Sequence, residues 1–248
     1  MSVPPHAGML LTDKPTGWTS HDVVAVLRKR FPKGTKVGHT GTLDPLATGL
    51  LVVLVGPCTK LQARLQGMDK TYSGTIRLGV KTDTGDVTGK VLEEKPVPSL
   101  SLASIQSVLD GLHGDIAAPA PAYSAVKHEG RPLYAYARAG EEIPVKARTA
   151  TVKSWKALEW AAPELTHRMD VSSGTYVRTL AEVLGAKLGC GGTVSTLRRE
   201  SVGPFRLTDA RPLPEWREMP PQDLAACLAA SLPVLESALK SGRTGAGS

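Results

Sequence analysis

Cysteine is scarce in this 248-residue sequence: Cys58, Cys190 and Cys227 stand alone and far apart. That spacing excludes a Cys-x-x-Cys metal site and a framework of disulfides. Unpaired thiols fit a reducing, cytoplasmic compartment. Phenylalanine is scarcer still, with only Phe31 and Phe205, so aliphatic side chains have to fill the core. No long apolar run exists; Leu50 to Val55, for example, is far short of the ~20 residues that cross a bilayer. No membrane association is expected. The start, Met1-Ser2-Val3-Pro4-Pro5-His6, lacks a positive segment followed by an apolar one, so no secretory signal is read there. There is no Walker-type phosphate loop and no paired Cys or His cluster, so no nucleotide, flavin or metal cofactor is expected.

Positive charge, by contrast, is in surplus. Lys and Arg number 30 against 23 Asp and Glu, a net charge of +7. Such a balance suits a polyanion, because neutralised phosphates release their counterions; a solvated basic surface would look the same. Apolar residues make up 41%, enough for a globular core. The length allows one large domain or two small ones.

Local patterns alternate between strand and helix. Gly8 to Leu11 reads as a strand leading to a turn at Asp13-Lys14-Pro15. Thr19 can cap a helix in which Asp22 meets the positive end and Val23, Val26 and Leu27 share a face. That helix is expected to stop by Phe31-Pro32. A loop over 36–49 precedes Leu50 to Val55, whose two-sided apolarity predicts a central strand. Thr71 to Val80 reads as a strand, Asp83 to Asp86 as a turn, and Leu102 to Leu112 as a helix. Residues 114–148 are rich in proline and basic residues and read as an excursion from the core, with a short helix near Leu133 to Ala139. Thr149 to Leu158 and Leu165 to Val171 read as a strand pair, and Tyr176 to Leu188 as a helix. Residues after about 214 look weakly helical, and 1–7 and 241–248 read as flexible tails. Strands mixed with helices, without regular alternation, favour an α+β domain with a central, largely antiparallel mixed sheet flanked by helices.

The segment richest in chemistry is Gly38-His39-Thr40-Gly41-Thr42-Leu43-Asp44-Pro45-Leu46-Ala47-Thr48-Gly49. Its glycines permit unusual backbone angles. Pro45 pushes Asp44 out of the helical region. A carboxylate so placed, just before a buried strand, can be presented rigidly to a cleft; an isolated Asp-Pro would simply be a turn.

The whole string resembles the signature of the tRNA pseudouridine synthase B (TruB) family. Asp13-Lys14-Pro15 with Gly17-Trp18-Thr19-Ser20 resembles the family's amino-terminal motif. Asp69-Lys70-Thr71-Tyr72 is similar to its Lys-x-Tyr motif, and Leu78-Gly79 with Thr82-Asp83-Thr84 and Asp86 to the following strand and turn. Tyr123 to Lys127, Gly174-Thr175-Tyr176-Val177-Arg178 and Leu197-Arg198-Arg199 resemble three later motifs. The likeness runs from about Gly8 to about Ala210.

The resemblance implies a pseudouridine synthase fold over 8–213, with 114–148 as a basic RNA-clamping insertion and 214–240 as a short helical extension. It implies an isomerase that converts uridine 55 in the T loop of tRNA to pseudouridine, without a cofactor. Asp44 is then the nucleophile, attacking ring or sugar, and Arg178 the cation that keeps it ionised despite burial. Tyr72 stacks on the uracil, its hydroxyl serving as a base or positioning one. Tyr176 and Leu197 line the uracil pocket. His39 fills the stack that the flipped base vacates. Lys14 supports the loop or contacts RNA. Lys127, Arg138, Lys146 and Arg148 are expected on phosphates. Only 35 residues follow Leu213, too few for the PUA domain of many relatives, which also counts against dependence on a guide RNA. The implied partner is the tRNA T stem-loop, bound by a monomer. Two other readings stay open: an RNA-binding or RNA-folding protein with a retired site, and an enzyme for another uridine-containing RNA.

Overall fold

The structure, a computed structural model, describes residues 6–121, 123–124, 126–141 and 149–241. The chain begins with β1 (Gly8–Lys14), α1 (Ser20–Arg28), β2 (Val37–His39), β3 (Thr48–Val55), α2 (Gln62–Gln66) and β4 (Lys70–Leu78). It continues through β5 (Val80–Thr82), β6 (Val91–Glu94), α3 (Leu102–Asp110), β7 (Gly114–Ala117), β8 (Lys127–His128), β9 (Arg131–Pro132) and α4 (Leu133–Arg138). The long pair β10 (Thr149–Ala161) and β11 (Glu164–Val171) leads to α5 (Val177–Lys187) and β12 (Gly192–Val202). β13 (Phe205–Arg206), β14 (Arg211–Pro212), α6 (Leu213–Glu218) and α7 (Pro221–Ser241) close the described chain. These elements form two compact units: residues up to Tyr72 with those from Arg198 onward, and Ser73–Leu197.

In the first unit β3 is central. β1 pairs antiparallel along all of it, from Gly8↔Val55 to Lys14↔Gly49. On its other side β12 runs parallel at Arg198↔Thr48 and Arg199↔Gly49, and β2 pairs antiparallel further along. Alternate side chains of β3 enter two separate cores, which is why the strand is apolar on both faces. Leu51, Val53 and Val55 pack with Val23, Val24 and Leu27 of α1 and with Trp216, Leu224 and Leu228. Leu50, Val52 and Leu54 pack with Met9, Leu65, Phe205, Leu235 and Ala238. Helix α1 begins at the expected Thr19 cap, where Thr19 and Asp22 satisfy each other's backbone amides.

The carboxy-terminal helices are more than an extension. α7 contributes Leu224 and Leu228 to one core and Leu235 and Ala238 to the other. Pro233, which cannot donate to the helix ladder, lies between the two sets. The apparent weakness of this segment in sequence reflects Pro233 and its many small residues; tertiary burial makes the helix.

In the second unit β10 and β11 form a long antiparallel pair, and β7 lines the far edge of β10. Gly114–Ala117, at the start of the stretch that composition marks as an excursion, therefore pairs with β10. The pairing of Ala117 with Thr149 supplies backbone partners that composition could not reveal. The Gln106 side chain of α3 pins β10: it donates to the Trp155 carbonyl at 3.1 Å and accepts from the Ala157 amide at 2.8 Å. Within the units the strand pairings are mixed and mostly antiparallel, with helices beside them, an α+β architecture.

Trp155 and His167 face each other edge to face in this core, ring centroids 6.0 Å apart, both fully buried. Burial lowers the His167 pKa to about 4 from 6.5. A base whose folded pKa is depressed takes up a proton on unfolding between those values, so stability is lost as pH falls through this window. The expected loss from His167 is about 3 kcal/mol by about pH 4. Both ring nitrogens lack a hydrogen-bond partner, so His167→Leu is expected to match or exceed the wild type near neutral pH. Urea unfolding at several pH values checks both: the Leu variant should lack this part of the acid-side decline.

Candidate active site

The Thr40 to Ala47 loop is held through its backbone from three directions. From β1, the Lys14 ammonium donates to the carbonyls of Pro15 at 2.9 Å, Trp18 at 2.6 Å and Pro45 at 3.4 Å. The Gly17 amide donates to the same Pro45 carbonyl at 2.8 Å, and the Thr16 hydroxyl to Leu46 at 3.2 Å. From the start of α1, the Ser20 hydroxyl accepts from the Leu43 amide at 2.8 Å and lies 3.2 Å from its carbonyl. From β12, the Arg199 guanidinium donates to the carbonyls of Leu50 at 2.7 Å, Gly41 at 3.0 Å and Thr42 at 3.4 Å. Asp44 is half-buried at the middle of this brace, its own carbonyl accepting from the Ala47 amide at 3.0 Å.

Gly49 is required where the loop enters β3. Its φ is +99°, and a Cβ there would lie 2.5 Å from the Arg199 carbonyl oxygen. The close approach of β3 to β12 thus depends on the absence of a side chain.

Lys14 is placed beneath the loop. The residue is fully buried and its ammonium faces three carbonyls under the loop. Burial lowers its pKa to about 8, with Arg199 acting the same way and the Asp44 and Asp22 carboxylates opposing. It is still protonated at neutral pH and can offer three N–H groups to three acceptors. Lys70 is similar: burial, then Arg199, bring it to about 8, and it donates to the Gln66 and Met68 carbonyls, each at 2.6 Å.

His39 ends β2 and stays neutral. Burial first, then Arg199 and His21, lower its pKa to about 4. Its Nδ1 accepts from the Gly41 amide at 3.3 Å, which assigns the proton to Nε2. A neutral planar ring suits stacking rather than charge transfer. Tyr72, on β4, is buried at the edge of this same unit.

The second unit holds Arg178, Tyr176 and Leu197. Arg178 is the second residue of α5 and is buried, not an ordinary exposed helix residue. Its Nη1 donates to the Thr84 carbonyl at 2.6 Å and its Nη2 to the Tyr123 carbonyl at 3.0 Å. The turn carrying Thr84 is itself tied. The Asp86 carboxylate accepts from Thr84 Oγ1 at 3.0 Å, the Thr88 amide at 3.0 Å and Thr88 Oγ1 at 2.5 Å. Sequence patterns mark 83–86 only as a turn; its use as a cradle for Arg178 has no local signal. Glu182, one turn further along α5, is raised by burial, with Lys81 and Arg178 opposing. Tyr176 is half-buried in the cap position before α5, and Leu197 is buried on β12. The side chains of Lys127 and Arg138, and all of Lys146 and Arg148, lie outside the described residues.

The architecture carrying these groups is that of the pseudouridine synthases. The Cbf5–Nop10–Gar1 complex matches over 85% of this chain and 56% of that chain, at 29% identity and a TM-score of 0.65. The archaeal box H/ACA Nop10–Cbf5 complex matches at 25% identity and 0.63, over 85% and 53%. This chain thus spans just over half the length of those solved chains. The model for the TruB family pseudouridylate synthase amino-terminal domain matches residues 28–177, and that for the tRNA pseudouridylate synthase B carboxy-terminal domain matches 178–229. The chain belongs to the TruB family. It is 42% identical over 231 residues to the tRNA pseudouridine synthase B of Opitutus terrae, covering 93% of this chain and 94% of that one. It is 48% identical over 204 residues to that of Burkholderia mallei, covering 82% and 67%.

Removing the ammonium tests the brace. Lys14→Met leaves the Pro15, Trp18 and Pro45 carbonyls without their cation, an expected loss of about 1–3 kcal/mol in urea unfolding. The amides of Gly17 and Ala47, which lean on Pro45 and Asp44, should exchange hydrogen faster. Unchanged exchange would show that the loop does not depend on Lys14.

Proposed function

We propose that this chain is a tRNA pseudouridine synthase that isomerises uridine 55 of the T loop. The observation that carries the reading is the Asp44 loop: its backbone is tied by Lys14, Ser20 and Arg199, while the Asp44 side chain keeps partial exposure. Rigid placement of a nucleophile lowers the entropic part of the barrier. The names of the relatives supply the substrate class, tRNA.

In the proposed reaction the Asp44 carboxylate attacks the flipped nucleotide and the bond between base and sugar breaks. The uracil turns and rejoins the sugar through carbon five as the bond to Asp44 breaks and frees its carboxylate; the carbon-five proton then leaves and N1, no longer bound to the sugar, takes one up. Every atom of the uridine is retained apart from exchange of that proton, so no oxidant, metal or cofactor enters. Tyr72 is assigned to stack on the uracil near the departing proton, and Tyr176 and Leu197 to line its pocket. Arg178 is assigned as the cationic partner of the nucleophile, on the strength of the family motif. The neutral His39 ring is assigned to the vacated stack, offsetting part of the few kcal/mol that flipping costs.

The assignment of partners belongs to the same proposal: a T stem-loop bound by a monomer, without a guide RNA, in the cytoplasm. The Cbf5 neighbours are members of H/ACA complexes; this chain is proposed to act alone. No described helix is long and apolar enough to cross a membrane. The basic residues Lys127, Arg138, Lys146 and Arg148 are assigned to phosphates, where loss of one contact lessens the salt dependence of binding by about one unit of slope.

The deciding measurement uses unmodified tRNA labelled with tritium at carbon five of uridine. Wild type is expected to release label, Asp44→Asn none, and Arg178→Lys far less than wild type. Position mapping should place the product at 55. No release, with tight tRNA binding by both wild type and Asp44→Asn, would favour an RNA-binding protein with a retired site.

A further inference from the structure

Trp18 is the large aromatic that the fold leaves at the loop. The residue is 38% exposed, although burying an aromatic ring of this size is a large source of stability. The residues around it, Thr16, Gly17, Thr19 and His21, are exposed too, so the indole stands out from a small polar turn. The backbone beneath it is fixed. The Trp18 carbonyl accepts from Lys14 at 2.6 Å, and the preceding Gly17 amide donates to Pro45, the residue after Asp44. On the other side Thr19 is locked into the α1 cap by Asp22, its amide donating at 3.0 Å. The indole therefore projects from a turn stapled to the proposed nucleophile loop. His21, next along, is close enough to His39 to influence its charge.

We propose that Trp18 is a stacking platform for an unpaired base of the RNA substrate, beside the nucleotide that Asp44 attacks. The inference rests on the RNA-substrate reading above and adds a binding residue to it. A flat ring on a fixed backbone loses little freedom when a base settles on it. Single-stranded RNA presents such faces in loops with splayed bases. The net charge of +7 favours a polyanion over an apolar protein partner. Stacking is indifferent to base identity, so Trp18 would contribute affinity and placement rather than sequence choice.

The test measures affinity for an unmodified tRNA transcript in Asp44→Asn protein carrying Trp18, Trp18→Phe or Trp18→Leu. Trp18→Leu is expected to weaken binding roughly 5- to 100-fold, and Trp18→Phe, which keeps a ring, by no more than about threefold. Melting temperatures should agree, since Trp18 belongs to neither of the two cores described for the first unit. With 2-aminopurine placed in turn at each T-loop position, one position should be quenched by protein with Trp18 and not with Leu. Three results would overturn the inference: Leu binding as well as Trp, Phe losing as much as Leu, or a lost affinity accompanied by a lowered melting temperature. Wild-type protein that neither binds nor converts tRNA would instead remove the tRNA reading, and this inference with it.

Discussion

The Arg199 guanidinium is the contact on which the first unit's chemistry depends. It is 1% exposed and faces carbonyl oxygens of Gly41, Thr42 and Leu50. A buried cation is costly unless its donors are satisfied. Here the acceptors come from the loop itself and from β3, so the cost of burial is offset only when the loop adopts this path. Lys14 repeats the device from the opposite strand, on Pro15, Trp18 and Pro45. Between them the two cations set the backbone around Asp44 while binding carbonyls rather than its carboxylate in these contacts. The same charges keep neighbouring groups in defined states. Arg199 helps hold His39 neutral and adds to the lowered pKa of Lys14 and Lys70.

The second unit follows the same logic with different parts. Arg178 rests on the carbonyls of Thr84 and Tyr123, and the turn that supplies Thr84 is organised by Asp86. Backbone carbonyls are weaker partners than carboxylates but impose direction. These two contacts orient the guanidinium of a group assigned to an anionic nucleophile. The cost falls on the turn, where Gly85 has φ of +74° and a Cβ would lie 3.1 Å from the Arg178 Cβ.

Elements with a strong local signal are legible in the amino-acid order alone. The Thr19 cap, the apolar β3, the β10–β11 pair and the α5 helix lie close to their expected places. Each carries its reason in nearby residues: a capping box, two-sided apolarity, alternation, helical spacing. β2 and β12 are not legible in this way. β2 is three residues whose partner is β3, and β12 reads as polar because Thr193, Arg198, Arg199 and Ser201 interrupt its apolar pattern. Those side chains are buried or ion-paired: Arg199 on carbonyls, Arg198 on Asp13 at 2.7 Å, Ser201 on Thr71 at 2.9 Å. A strand that buries polar groups cannot be found by searching for apolar ones.

The amino-acid sequence by itself determined the motif set around Asp44, the positions of the strongest elements and a basic surplus suited to RNA. Those are properties of neighbours in the chain, where spacing and type suffice. Only the tertiary structure decided that Lys14 lies under the loop rather than on a surface, that Arg178 is buried, and that Arg199 is a brace. Each depends on carbonyls far away in sequence: Pro45 for Lys14, Thr84 for Arg178, Gly41 for Arg199. Because a backbone carbonyl is the same at every residue, no motif marks which ones a cation will find. Folding selects them, since a buried charge is tolerated only where its donors are met.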